Sequence, residues 1–314
     1  MKKQIFSLIL LSALSFGGCT SQQTEQTKSV NELKVLSWNI WHGGHSKAYP
    51  GKSCEGALGI LKKSNADIIT MIETYGNSAD VADHLGYYHR LISSNLSIYS
   101  RYPIIKTYTF PDSIDTFNFG GVEIDVNGKR VRVFDTWLHY LPDERLVPTD
   151  KSEAEILKWD DEGTRDDEIA RIMPVLKPFM AEADSIPLIM AGDFNDHSHL
   201  DWTEATKNLY NHGGAVVNWT VSKVMEANNF KDSFREIHPN PEKDVKELGP
   251  TWYWTGDDKD RLDRIDFIYY QGNKLKVEKS ESYNYDIAGY MDFYGEKFFY
   301  PSDHGFVMTT FSFD

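Results

Sequence analysis

The sequence predicts an α/β fold, with two packed, largely antiparallel sheets flanked by helices. Three observations carry that reading. Short apolar runs of strand length recur from residue 33 to residue 313. Asn127-Gly128 joins two alternating runs, and this residue pair favours a tight hairpin turn. Helix-like segments fall between other strand-like runs, and hairpins mixed with β–α units place helices on the outer faces of paired sheets.

The chain opens with Lys2 and Lys3, an apolar run from Ile5 to Phe16, and Gly17-Gly18-Cys19. A basic start, about a dozen apolar residues and small residues before a cut site read as a secretory signal. The run is shorter than the roughly 20 residues a spanning helix needs. Its end resembles a bacterial lipobox, with Phe16 where Leu is usual, which would make Cys19 the lipidated first residue of the mature chain. Residues 1–18 are therefore expected to be a lipoprotein-type signal, and the polar, aperiodic stretch up to residue 32 a flexible tether. Residues 33–314 are expected to form one catalytic domain. The expected place is the bacterial cell envelope, with a membrane anchor through Cys19; periplasmic or secreted release is the alternative. A monomer without a protein partner is expected.

Strand-like runs predict strands at 33–40, 66–73, 87–92, 95–100, 121–126, 130–138, 186–192, 264–270, 274–280 and 305–313. Helices are predicted at 54–63, 78–85, 152–182 and 219–228, the third interrupted at Pro174 and Pro178, where the backbone lacks a donor. Residues 139–151, 196–218 and 282–301 have little periodicity and are expected to be loops that shape a site.

A net charge of −14 argues against broad contact with duplex nucleic acid, which relies on Lys and Arg against phosphates. It does not exclude a local site whose cation is a metal. With Cys19 acylated, Cys54 alone remains as a thiol, so no internal disulfide forms and the core must hold the fold. A hydrophobic fraction of 40%, with 13% aromatic residues, makes a sizeable core available.

Most predicted strands end on polar residues that a purely structural sequence does not require. These are Asn39, Glu73, His139, Asp193 with Asn195, Asp266, and Asp303-His304 before the last strand. Singly, each has a structural reading: Asn39 and Asn195 suit turns, Glu73 can cap a helix, and Asp266 can pair with Arg264. Together they form an ordered series, WNI, IE, a strand ending in His, GDFN, RIDFIY and SDH, with Ser100-Arg101-Tyr102-Pro103-Ile104 among them. That series resembles the endonuclease/exonuclease/phosphatase superfamily, over residues 33–313. The resemblance implies the deoxyribonuclease-I-like four-layer α/β/β/α sandwich and a metal-dependent phosphoric ester hydrolase.

The chemistry is consistent on its own terms. Like charges about 4 Å apart at an effective dielectric of 20 repel by about 4 kcal/mol, and a hard cation removes that penalty. Oxygen ligands suit Mg²⁺ or Mn²⁺, with Ca²⁺ possible, rather than zinc. Phosphoester hydrolysis is so slow uncatalysed that the site must supply on the order of 20 kcal/mol. By resemblance, Glu73 and Asp303 hold the metal with Asn39 beside it. Asp193 activates water and Asn195 positions it. His304 contacts the phosphoryl group with Asp266 fixing its tautomer, and His139 stabilises the transition state. Ile72 stands where nuclease members usually carry Gln, which weakens a DNA-repair assignment.

Around this set, Trp41 and His42 follow Asn39 and are expected to touch substrate. Aromatic residues crowd 283–300; about half are expected to pack on the core, and the rest, Tyr300 among them, to stack on substrate together with Trp252 and Trp254. The expected substrate is a small or lipid-linked phosphodiester. A nuclease is the alternative, and a catalytically silent glycan-binding lipoprotein a second one. The stretch MAGDFNDHSHLD (190–201) also approaches a calcium loop, but Ser198 occupies the position where that loop needs Gly. His197 and His199 read as loop residues bordering the cleft.

Overall fold

A computed structural model of the chain describes residues 31–45, 54–254, 261–284 and 289–314, with the backbone alone at 253, 254 and 261. The expected signal, Cys19 and most of the tether lie outside the described residues. The tether ends earlier than expected, because Glu32 already opens the first strand, opposite Ser312.

Two six-stranded sheets pack face to face. The first runs β13 (Leu275–Tyr283), β16 (Phe306–Phe313), β1 (Glu32–Asn39), β2 (Ile68–Ile72), β4 (Ser97–Ser100), β3 (Tyr88–Leu91). The second runs β5 (Ile104–Thr107), β6 (Phe119–Val126), β7 (Lys129–Trp137), β8 (Leu188–Asp193), β12 (Asp266–Gln271), β9 (Lys231–Asp232). Two small hairpins stand apart, β10 (Trp252–Trp254) with β11 (Arg261–Asp263), and β14 (Tyr290–Phe293) with β15 (Glu296–Phe299). Each large sheet is antiparallel except at one joint, β1 with β2 and β7 with β8.

Inward-facing Val35, Ile68, Val122, Val133, Ile189 and Phe311 close the space between the sheets. Outside the second sheet lie α5 (Arg165–Met180) and α6 (Thr220–Ala227), sealed by Ile169, Met173, Leu176 and Met225. Outside the first lie α2 (Glu55–Ser64) and α3 (Ser78–Leu85), which follow the single turn α1 (Trp41–Gly44). Short helices α4 (Glu153–Asp160), α7 (Ser233–Ile237) and α8 (Val245–Leu248) and a 3₁₀ turn at Glu144–Leu146 complete the helical elements among the described residues. This is the four-layer sandwich that the sequence predicts.

Two expectations need correction. The break in 152–182 falls at 161–164, and α5 runs unbroken through both prolines. Pro174 and Pro178 are four residues apart on the exposed face, where water can satisfy the freed carbonyls, while Ile172, Met173 and Leu176 bury the opposite face. Residues 282–301 are not a plain loop. Tyr294-Gly295, both with positive φ, turn the β14–β15 hairpin, which packs on α2. A Cβ at Gly56 would lie 1.9 Å from the Phe299 carbonyl oxygen, so α2 needs glycine there to approach the hairpin.

Candidate active site

Strand register gathers the polar strand ends at one edge of the sandwich. Asn39 pairs with Ile72, the residue before Glu73; Trp137 pairs with Asp193, and Asp193 with Asp266. Trp38 lies opposite Phe306, two residues after His304. Both parallel joints therefore end beside the start of β12 and of β16, and six polar residues meet there.

The Asp193 carboxylate is the most heavily held group. Its Oδ1 accepts from the Asn195 backbone N–H at 2.9 Å. Its Oδ2 accepts from Asn39 Nδ2 and Asn195 Nδ2, both at 3.0 Å. Asn195 adopts φ +48°, tolerable for Asn, and this turns its amide back on Asp193 and on the Leu138 carbonyl at 2.9 Å. Glu73 is likewise left-handed, at φ +57°. Its backbone N–H donates to Asn95 Oδ1 at 3.0 Å, and its carboxylate receives Asn39 Nδ2 at 3.2 Å and the His42 N–H at 3.3 Å.

His304 Nδ1 meets Asp266 Oδ2 at 2.9 Å, and its Nε2 faces Asp193 Oδ2 at 3.8 Å. Arg264 does not pair with Asp266. Its guanidinium is buried against Asp201 and Asp232, which leaves Asp266 to the histidine. Burial pulls the His304 pKa down, but Asp266 and Asp193 outweigh it and push it up to about 10, which favours the charged ring. Burial raises the Asp193 pKa, with the His304 charge opposing. Asp193, Asp266 and His304 also offer ligand atoms close enough to share an ion. Within that set the 2.9 Å Asp266–His304 contact fixes the ring and engages its Nδ1.

Glu73 and Asp303 suit a hard cation better. Burial, and then the nearby Glu73 charge, push the Asp303 carboxyl up to about 6 although His304 opposes the shift. The Glu73 charge disfavours that of Asp303, and the two carboxylates make an oxygen donor set that a divalent cation relieves. Asn39 turns its Nδ2 to Glu73 and Asp193 and its Oδ1 to the Trp41 N–H, so it orients the carboxylates and offers the ion no oxygen. A second acidic group, Glu144, Asp160 and Asp196, is buried behind the site and already holds the Arg165 guanidinium.

The site floors a cavity of about 730 Å³. Asp193, Asn195, Glu73, Asp303 and His304 line it, as do Trp41 and His42. Its far wall is Phe117, Trp137 and Tyr140, with Phe117 and Trp137 edge to face at 5.7 Å. Trp252 sets its ring 4.6 Å from that of His304. The sequence reading missed Phe117, Trp137, Tyr140 and Tyr75. The available signal was their place in or beside segments adjoining strand ends, since 139–151 does supply one wall.

His139 lies just behind the wall, its ring 6.1 Å from that of Trp137 and 4.9 Å from that of Tyr140. β7 ends at Trp137, whose ring takes the wall, and past it the His139 N–H turns to Glu168 at 2.9 Å. Other expected residues stand elsewhere. Tyr300 is only 2% exposed and packs 5.2 Å from Trp38 in the outer core, so it meets no substrate. None of the other described aromatics of 283–300 lines the cavity either. The Trp254 side chain lies outside the described residues. His197 is no cleft residue; it is buried between Glu144 and Asp263. His199 bonds Ser222 at 2.8 Å. Asp201 pairs with Arg235 and Arg264, which rules out a calcium loop.

A profile described as "Endonuclease/Exonuclease/phosphatase family" matches residues 36–304. The uncharacterized protein F14F9.5 of Caenorhabditis elegans is 29% identical over 329 residues, spanning 99% of each chain. Among solved structures, TDP2 from C. elegans has a TM-score of 0.55 at 18% identity, covering 90% of this chain and 75% of that one. The human nocturnin catalytic domain with bound sulfate has 0.56 at 17%, covering 90% and 95%. D. rerio TDP2 complexed with a single-strand DNA product has 0.55 at 14%, covering 89% and 98%. These likenesses show a shared fold; the profile match, with an acidic floor in place, shows the family. The chain belongs to the endonuclease/exonuclease/phosphatase family and is a metal-dependent phosphoester hydrolase.

Proposed function

We propose that the chain hydrolyses a small or lipid-linked phosphodiester, tethered to a bacterial envelope through Cys19. The observation that carries the substrate reading is the cavity: an acidic floor between aromatic walls, in a protein of net charge −14. A nucleic-acid groove relies instead on rows of Lys and Arg. A nuclease remains the second reading, supported by the solved relative that holds a single-strand DNA product. The intact floor residues speak against a silent glycan-binding module.

In this reading Glu73 and Asp303 hold Mg²⁺ or Mn²⁺, Ca²⁺ being the third choice, and Asn39, expected beside the ion, orients Glu73 through its Nδ2. The ion when bound neutralises phosphoryl oxygens. The Asp193 carboxylate accepts the water's proton, and its raised pKa suits a base working near neutral pH. Asn195 and Asn39 fix the carboxylate in plane. His304 donates from Nε2 to the charge developing on the phosphoryl group, while Asp266 holds Nδ1.

The test is a panel of DNA, RNA, sphingomyelin, inositol phosphates and chromogenic diesters, run on the chain and on Asp193→Ala. Turnover of a small or lipid-linked ester, silenced by chelator, restored by Mg²⁺ or Mn²⁺ and absent in the variant, is expected. Chelator-insensitive turnover overturns the metal reading, and preference for DNA or RNA promotes the nuclease. Anchoring is checked by labelled fatty acid: incorporation that survives Cys19→Ser overturns it.

A further inference from the structure

Phosphoryl recognition on the floor has its own positive charge in His304. The cavity holds one more. Among its described lining residues, Arg145 is the only Lys or Arg, set on the wall rather than the floor. The loop that carries it is rigidly built. Asp143 accepts the Arg145 N–H at 3.0 Å and grips its Nε with both oxygens, at 2.8 and 2.9 Å. On either side, the buried Arg165 donates to the Pro142 carbonyl at 2.9 Å and pairs with Glu144, which also meets His197.

A half-exposed ion pair two residues apart adds little to stability. Its bland reading, closing a surface turn, does not explain why the side chain faces a cavity where four other carboxylates already crowd. The charge on Asp303 acts on Arg145, which places the guanidinium within electrostatic reach of the floor. A planar, preorganised guanidinium is suited to phosphate and carboxylate oxygens.

We infer that Arg145 is a specificity residue that reads a second anionic group on the substrate, apart from the scissile phosphate. The preferred substrates are then phosphodiesters carrying a further phosphate, with the intervening ring laid along the Phe117–Trp137–Tyr140 wall. The inference rests on the phosphodiesterase reading above. It goes beyond that reading by assigning a substrate feature to a residue outside the floor.

The test uses the full chain with Mg²⁺ or Mn²⁺ and two soluble chromogenic esters. One is thymidine 5′-(p-nitrophenyl phosphate); the other is the same ester with a 3′-phosphate. The expected result is a kcat/KM at least tenfold higher for the bisphosphorylated ester. Arg145→Gln should collapse that preference, mainly through KM on the bisphosphorylated ester, and Arg145→Lys should restore part of it. Hydrolysis of both esters without preference overturns the inference and leaves the phosphodiesterase reading standing. Equal losses on both esters in Arg145→Gln also overturn it, because they place Arg145 on the scissile phosphate or in the fold. A melting curve tells those two apart. Hydrolysis of neither ester, with no turnover of any diester in the wider panel, overturns both readings.

Discussion

Asp266 is available to His304 only because another acid has taken its neighbour. Arg264 stands two residues away and is the partner that the sequence suggests, yet it turns to Asp201 and Asp232. In the strand expected at 264–270, alternation would send residues 264 and 266 to the same side, so spacing alone could not separate the pairings; β12 begins only at Asp266. Burial decides the outcome. A fully buried guanidinium requires charged partners, and the 196–201 loop brings Asp201 to it. Replacing Asp266 by Asn keeps the volume but no longer supports the imidazolium. By analogy with the hydrolase triad, kcat for Asp266→Asn should fall on the order of 10³–10⁴-fold. Its melting temperature should stay within a few degrees of the parent; a steady-state assay beside a thermal scan checks both. Activity within tenfold of the parent would remove Asp266 from the mechanism.

At the scale of elements, legibility followed apolar runs. The ten predicted strands are present because short runs rich in apolar and β-branched residues mark a sheet, and β2 and β8, buried at every residue, show as continuous runs without alternation. β5 was missed as a short edge strand with a register shift between Ile104 and Lys106, and β9 because two residues show no period. Pro174 and Pro178 misled because their meaning depends on which face they occupy, which a linear reading leaves open. The floor was readable since its residues end strands whose order the chain preserves: Asn39, Glu73, Asp193, Asp266, Asp303. The walls were not. Phe117 and Tyr140 lie outside strands and helices and Arg145 sits in a single 3₁₀ turn, Glu144–Leu146; the paths of these segments depend on buried contacts far away in sequence, such as Arg165 with Pro142. The stretch MAGDFNDHSHLD separates accordingly. In its first half Asp193 and Asn195 line the site, and its second half, through His197 and Asp201, is buried ionic structure.

The whole molecule stores one unfavourable group between its sheets. Asp135 on β7 is wholly buried among apolar residues. Burial raises its pKa well above the usual range, although backbone N–H groups of Met71, Ser97 and Thr136 favour the charge. The folded chain thus holds a proton there that the unfolded chain has released. Its contribution to stability falls as pH rises above the unfolded carboxylate range, near 3.9. Asp135→Asn should therefore stabilise the fold at pH 7 more than at pH 4. Denaturant melts at the two pH values test this; a gain that does not grow with pH would show that Asp135 is fully solvated or paired. Arg165 acts over a similar span in the opposite sense. One guanidinium holds the Asn195 carbonyl beside the base, the Pro142 carbonyl in the wall loop, and Asp160 at the end of α4. Chemistry and recognition are thereby bolted to the same post. The cavity behaves as a fixed socket rather than a jaw, and new substrates can be reached by exchanging the side chains of its rim while its backbone stays where it is.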